Sequence, residues 1–156
     1  MNMPRFMAIL CAVLTMAFVF YVTRQAPVSD KTAEEIAAQL TESFDTEGLT
    51  LRSGGEFKKT FLLSAGDYDG VVYYSADSVM DVRELLLVRL KDESQSQELT
   101  EVLKKRIEDK IVLFNGYAPE EEALLGSYVL ESSQGFVLFA VCSHPDKVLE
   151  TFKEAH

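Results

Sequence analysis

Between Phe6 and Val22 the chain runs FMAILCAVLTMAFVFYV, seventeen residues without a charge. A helix of that length spans about 25 Å, slightly short of the roughly 30 Å of a bilayer's hydrocarbon layer, so that it can just cross. The run exceeds the roughly 7–15 residues of a signal-peptide core. It is apolar all round and so lacks the polar face of a helix lying on a soluble domain. Phe6 opens it after Arg5 and Val22 closes it, and Phe18, Phe20 and Tyr21 place aromatic rings where a membrane interface would lie. Signal cleavage wants small residues at the first and third positions before the cut, yet Arg24 stands third behind the only nearby candidate, Ala26, and Pro27 follows it. Lipidation at Cys11 is disfavoured because Leu10 precedes it and the cysteine sits inside the run. Residues 1–24 therefore read as a retained transmembrane anchor, 25–31 as a linker around Pro27, and 32–156 as one globular domain. Arg5 lies before the segment and Arg24 and Lys31 after it, so the positive-inside rule leaves the orientation open.

All 25 acidic residues follow Ala26. Setting aside Arg5 and Arg24 leaves 13 of the 15 basic residues against them, a net charge of −12 for the remainder. Such a surface is repelled by nucleic acid and by anionic lipid head groups, which excludes nucleic acid as the expected partner.

The domain opens with Thr32-Ala33-Glu34-Glu35, the form of a capping box, and a helix to about Phe44 that buries Ile36, Ala37, Leu40 and Phe44. Gly48, Gly54 and Gly55 interrupt the chain, and EFKKTFLL suggests a short second helix with Phe57 and Phe61 on one side. GVVYYSA from Gly70 and ELLLVRL from Glu84 read as strands separated by turn residues. Ser94 and Gln97 fit a second capping box, before a long helix with Leu99, Leu103, Ile107, Ile111 and Phe114 on one face and Asn115-Gly116 as its stop. A loop with a helical turn near Pro119 leads to SYVLES and FVLFAV, whose short Ser133-Gln134-Gly135 connection implies an antiparallel hairpin. A last helix spans about Pro145 to Ala155, with Ser143 as cap and Val148, Leu149 and Phe152 inward. The order α-α-β-β-α-β-β-α predicts an α+β fold, helices packed on a mainly antiparallel sheet of about four strands.

These elements carry a resemblance. Lys91-Asp92-Glu93 after a strand, Lys105-Arg106-Ile107-Glu108 in a long helix, Gly116-Tyr117-Ala118-Pro119-Glu120, Ala123-Leu124-Leu125, and an apolar strand before a Pro-Asp-Lys helix start follow one another. From Thr32 to His156 the chain resembles the DUF4358 family, a domain of unknown function of Gram-positive bacteria. The resemblance implies an N-terminal lipoprotein signal or membrane segment and a domain facing outward at the cell envelope. It implies no activity.

Chemistry-bearing patterns are sparse. His144 and His156 are the only histidines and belong to no metal-ligand spacing, so no metal site is expected. Cys142 and His144 suggest a thiolate–imidazole pair by their spacing of two, but Cys142 ends an apolar strand, where a buried inert thiol is the usual finding. Asp67 and Asp69 in GDYDG lack the further ligands of a calcium loop and read as a turn. Lys104, Lys105, Arg106 and Lys110 alternate with Glu101, Glu108 and Asp109 and read as a solvated, ion-paired helix face. No phosphate loop and no nucleophile elbow is present, so no catalytic or cofactor-binding residue is nominated. The candidate recognition surface is Tyr117, Pro119, Glu120 and Glu121, with Glu122, where an aromatic ring, a rigid turn and a charge cluster share a connection. Pro and acidic residues at a helix start explain the same stretch without a ligand. The expectation is a membrane-anchored extracytoplasmic binding or accessory module, without enzymatic activity or cofactor. Its partner is an envelope protein or a small ligand. The alternative is an envelope enzyme of hydrolytic type.

Overall fold

The structure, a computed structural model, describes Met7, residues 11–17 and residues 29–155. Phe6, Phe18, Phe20, Tyr21 and Val22 of the expected anchor lie outside the described residues. Residues 11–17 are helical, with Val13, Leu14 and Met16 exposed. Among the described residues no helix is long and apolar enough to cross a membrane.

Thr32 caps the first domain helix, α1 (Ala33–Ser43), through the expected box: its Oγ1 accepts from the Glu35 N–H while the Glu35 carboxylate accepts from the Thr32 N–H. Then come β1 (Leu49–Leu51), α2 (Gly54–Phe61), a 3-10 turn at Ala65–Asp67, β2 (Gly70–Ala76) and β3 (Glu84–Arg89). α3 (Gln95–Phe114), α4 (Pro119–Gly126), β4 (Val129–Ser133), β5 (Phe136–Val141) and α5 (Pro145–Glu154) complete the domain. All strand pairs are antiparallel and the sheet order is β1-β2-β3-β5-β4.

β5, wholly apolar, and β3, apolar from Leu85 to Val88, take the centre. In β3, Leu86 and Val88 enter one core while Leu85 and Leu87 enter the other, and in β5 Val137, Phe139 and Val141 oppose Phe136, Leu138 and Ala140 in the same way. A strand apolar on both faces needs a helix layer on each side. α2, α3 and α4 cover one face, and α1 and α5 the other. The fold is therefore α+β with an antiparallel sheet between two helical layers.

Several local readings are corrected. The sheet has five strands, because Leu49–Leu51 pairs with Tyr74–Ala76; three residues, two of them exposed, carry no readable alternation. Arg52 pins this edge, its Nε donating to Ser75 Oγ and its Nη2 to the Ser75 and Ala76 carbonyls. Gly54 and Gly55 do not interrupt the chain but form the first turn of α2, under a Ser53–Glu56 capping box. The expected Ser94–Gln97 box is not made: Ser94 is already helical, and Gln95 Oε1 instead accepts from the Lys91 and Asp92 N–H groups. Pro119 begins a two-turn helix rather than a single turn, and His144, not Ser143, stands at the cap of α5. The β4–β5 hairpin turns on Gln134 and Gly135, both at positive φ (50° and 83°), the conformation that a two-residue primed turn requires.

One end of the sheet receives the linker. Arg89 Nη1 donates to the Lys31 carbonyl at 2.7 Å, the Ser29 N–H to the Gln134 carbonyl, and Lys31 Nζ to the Ala155 carbonyl. Gly70, Arg89 and Phe136 are in register at that end, whereas Ser75, Glu84 and Val141 are in register at the other. Gly70 has a packing reason to be glycine: a Cβ there would lie 2.8 Å from that of Ala33 in α1.

Candidate functional site

Glu84 is the one acidic residue in a strand otherwise apolar up to Arg89, and alternation turns it to the same face as Leu86 and Val88. It is wholly buried under α3. One helical turn separates Arg106 from Lys110, so both reach it. Arg106 donates from Nε to both Glu84 oxygens at 3.2 Å and from Nη2 to Oε2 at 2.9 Å. Lys110 Nζ donates to Oε1 at 2.9 Å, and the Tyr73 hydroxyl to Oε2 at 3.1 Å. Phe61 of α2 closes the group: the Arg106 guanidinium lies 5.2 Å from its ring centroid, and the ring meets Tyr73 edge-on.

Burial pushes the Glu84 carboxyl up, but the ammonium of Lys110 and the guanidinium of Arg106 outweigh it and hold the group below its ordinary range. Burial draws the Lys110 ammonium down against the pull of Glu84, while burial and the Glu84 charge both push the Tyr73 phenol up. The result is an ionised carboxylate shared by two cations, with one positive charge in excess.

Arg106 and Lys110 form a wall between two hollows. On the outer side a cleft of about 540 Å³ runs between α2 and α3, its apolar lining supplied by Phe61, Leu62, Leu63, Val102 and Leu113. This volume lies within the usual range for small-molecule sites. On the other side a hollow of about 270 Å³, lined also by the exposed Val79, reaches Glu84, Tyr73 and Asp81. Asp81 is held by Arg83, which keeps its carboxyl low. Leu62, the C-cap of α2, sits in the left-handed region at φ 60° and is 87% exposed at the cleft. That position usually takes glycine or asparagine.

The family model of the domain of unknown function DUF4358 matches residues 42–142. The chain belongs to the DUF4358 family. No curated protein and no solved structure matches it. The match leaves out most of α1 and all of α5, narrower at both ends than the resemblance from Thr32 to His156 implied. It takes in Tyr73, Glu84, Arg106, Lys110 and the whole lining of the cleft.

Elsewhere in the DUF4358 domain the expected candidates are dispersed. Tyr117 is exposed beyond the end of α3, Pro119 is the first residue of α4, and Glu120 and Glu121 occupy its first turn. Glu122 accepts from the Gly116 N–H and so ties the start of α4 to this connection. Cys142 lies in the core between α1, α5 and the sheet, where burial pushes its thiol up, away from the thiolate a nucleophile needs. His144 is exposed at the start of α5, past the end of β5, so the strand spacing that would pair it with Cys142 does not continue. Asp69 pairs with Arg89, and the Asp67 carbonyl accepts from Gln95. Among the described residues no group of three His, Cys, Asp or Glu side chains could hold a metal ion.

The helix face read as solvated divides in two. Lys105 pairs with Asp109 in water as expected, whereas Arg106 and Lys110 turn inward. The signal was present in Glu84, an acid at the head of an apolar strand, set against an i, i+4 pair of cations on a facing helix.

Proposed function

We propose that this DUF4358 domain is a membrane-tethered, extracytoplasmic binding module without enzymatic activity, and that it takes up its ligand in the cleft between α2 and α3. The observation that carries the reading is the cleft itself: an apolar trough of ligand size with two half-buried cations in its wall. The envelope setting is supported by the uncharged run Phe6–Val22 and by the −12 charge that keeps the remainder off an anionic surface. The linker docks at the Arg89 end of the sheet, and Glu84 stands five residues along β3, about 17 Å away by strand rise. The cations of the cleft wall thus lie at the end of the sheet remote from Lys31, which supports a ligand or neighbour reached on the side away from the chain's entry into the domain.

Native mass spectrometry of the full-length protein, extracted from its own membrane, tests the reading. A small-molecule increment lost in Leu113→Asp and kept in Cys142→Ala is expected. An increment that survives Leu113→Asp, or none at all, overturns the cleft as the binding site. Protease protection in intact and permeabilised cells tests the orientation: digestion only after permeabilisation refutes an outward-facing domain.

A further inference from the structure

We propose that the cleft between α2 and α3 binds an amphipathic anion, a single carboxylate or phosphate head on Arg106 and Lys110 with an apolar body along Leu62, Leu63, Val102 and Leu113. The assignment rests on the binding-module reading and names its ligand class.

Charge selects the head group. Two cations share one carboxylate, Glu84, so one further negative charge would neutralise the cluster. Neither is sealed away: Arg106 keeps 25% of its side chain exposed and Lys110 20%, and both line the cleft. Arg106 spends Nε and Nη2 on Glu84 and makes no bond to it through Nη1. Lys110 gives one N–H to Glu84 and another, at 3.5 Å, to the Val82 carbonyl. The acids nearby are otherwise engaged or distant. Asp109 pairs with Lys105 at the rim, and Asp81, although its charge is felt by Lys110, makes its hydrogen bonds to Arg83 through both oxygens. Glu98 stands eight residues from Arg106 on α3, about 12 Å along the axis. A partly desolvated cation pair with one charge to spare favours an anionic head over a neutral or cationic one.

The apolar body has its own place. Leu62 and Leu113 both line the trough and are 87% and 74% exposed, so together they present an apolar surface beside the cations. Leu62 is moreover held at φ 60°, where a non-glycine residue is strained. An alkyl or aryl body laid in the trough would cover both side chains.

The test is calorimetric titration of the full-length chain in phosphatidylcholine nanodiscs, corrected with empty discs, using octanoate, octyl phosphate, octanol and octyltrimethylammonium. The two anions are expected to bind at least tenfold more tightly than the other probes. Lys110→Met should remove that preference, whereas Leu113→Ser should weaken every probe. Leu62→Gly, which relieves the backbone strain, serves as a second rim variant should Leu113→Ser fold poorly. Equal binding of all four probes overturns the anionic assignment and leaves the cleft reading standing; binding of none overturns both. Anion preference that persists in Lys110→Met places the head group elsewhere and also refutes the proposal. Replacing phosphatidylcholine with phosphatidylglycerol separates the sources: competition with octanoate identifies a bilayer lipid, and unchanged affinity a free amphiphile, each with the anionic head retained.

Discussion

Replacing Glu84 by Gln removes the charge at the centre of the buried cluster and keeps the shape. The wild-type carboxylate accepts four bonds from Arg106 and Lys110 at 2.9–3.2 Å and one from Tyr73, and it has no exposed surface. With Gln in its place, two like charges remain side by side against a neutral amide. Breaking a buried pair in this way costs about 3–5 kcal/mol. Arg106 and Lys110 retain some exposure and can turn partly toward the cleft, which places the expected loss near the lower figure, about 3 kcal/mol. For a domain of this size that corresponds to a fall in melting temperature of roughly 10–15 °C. The assay is thermal and urea unfolding of the full-length chain followed by near-ultraviolet circular dichroism, with Glu84→Gln, Lys110→Met and the double variant forming a cycle. The double variant should recover part of the loss, because one unpaired cation is removed. The pH dependence gives an independent reading. Glu84 titrates below its unfolded value of 4.5, so its contribution is complete above that pH and is lost as pH falls through the lower folded value. Glu84→Gln should lack this portion of the acid slope. A loss under about 1 kcal/mol, with the acid slope unchanged, would show that the cations swing freely into water and that the cluster behaves as a surface pair.

Three further outcomes follow from the geometry. Gly70→Ala should destabilise the domain by about 1–3 kcal/mol in urea unfolding, since its Cβ would lie 2.8 Å from that of Ala33, while Gly126→Ala, with open space around it, should lack that steric cost. Leu62→Gly should raise stability by up to about 1 kcal/mol, because relief of the left-handed strain outweighs the small packing of an exposed side chain; a clear loss would mean that the leucine packs in the folded state. Cys142 should resist maleimide labelling in the native protein and react on denaturation, and labelling at comparable rates in both states would contradict its burial in the α1–α5 core.

Local signals in the chain carry unequal weight in the fold. The Thr32–Glu35 box and the Gln134-Gly135 turn are complete within a few residues and the stripe from Leu99 to Phe114 within one helix, and each forms as the pattern predicts. β1 is invisible by the same standard, because a three-residue edge strand is defined by its partner Tyr74–Ala76 and by the bonds of Arg52. The Ser94–Gln97 pattern fails because a competing side chain two residues before it, Asp92, already accepts from the Ser94 N–H, and Gln95 supplies the remaining acceptor. Tyr117 and Pro119–Glu121 read as one connection, but only Tyr117 lies in it; Pro119, Glu120 and Glu121 form the first turn of α4, where helix-start chemistry puts them.

By itself the sequence determined an uncharged run of seventeen residues, an acidic remainder of helices and strands, and two strand-length segments with long apolar stretches. Those properties depend on composition and on contacts between near neighbours. Which helices cover which face, that the sheet is enclosed on both sides, and that Arg106 and Lys110 leave the solvated helix face for Glu84 were decided only by the tertiary structure. The physical reason lies in range. A basic residue beside acids on a helix has two ways to satisfy its charge, water or a distant carboxylate, and only the packing of α3 over the Glu84 end of β3 removes the water and leaves the second.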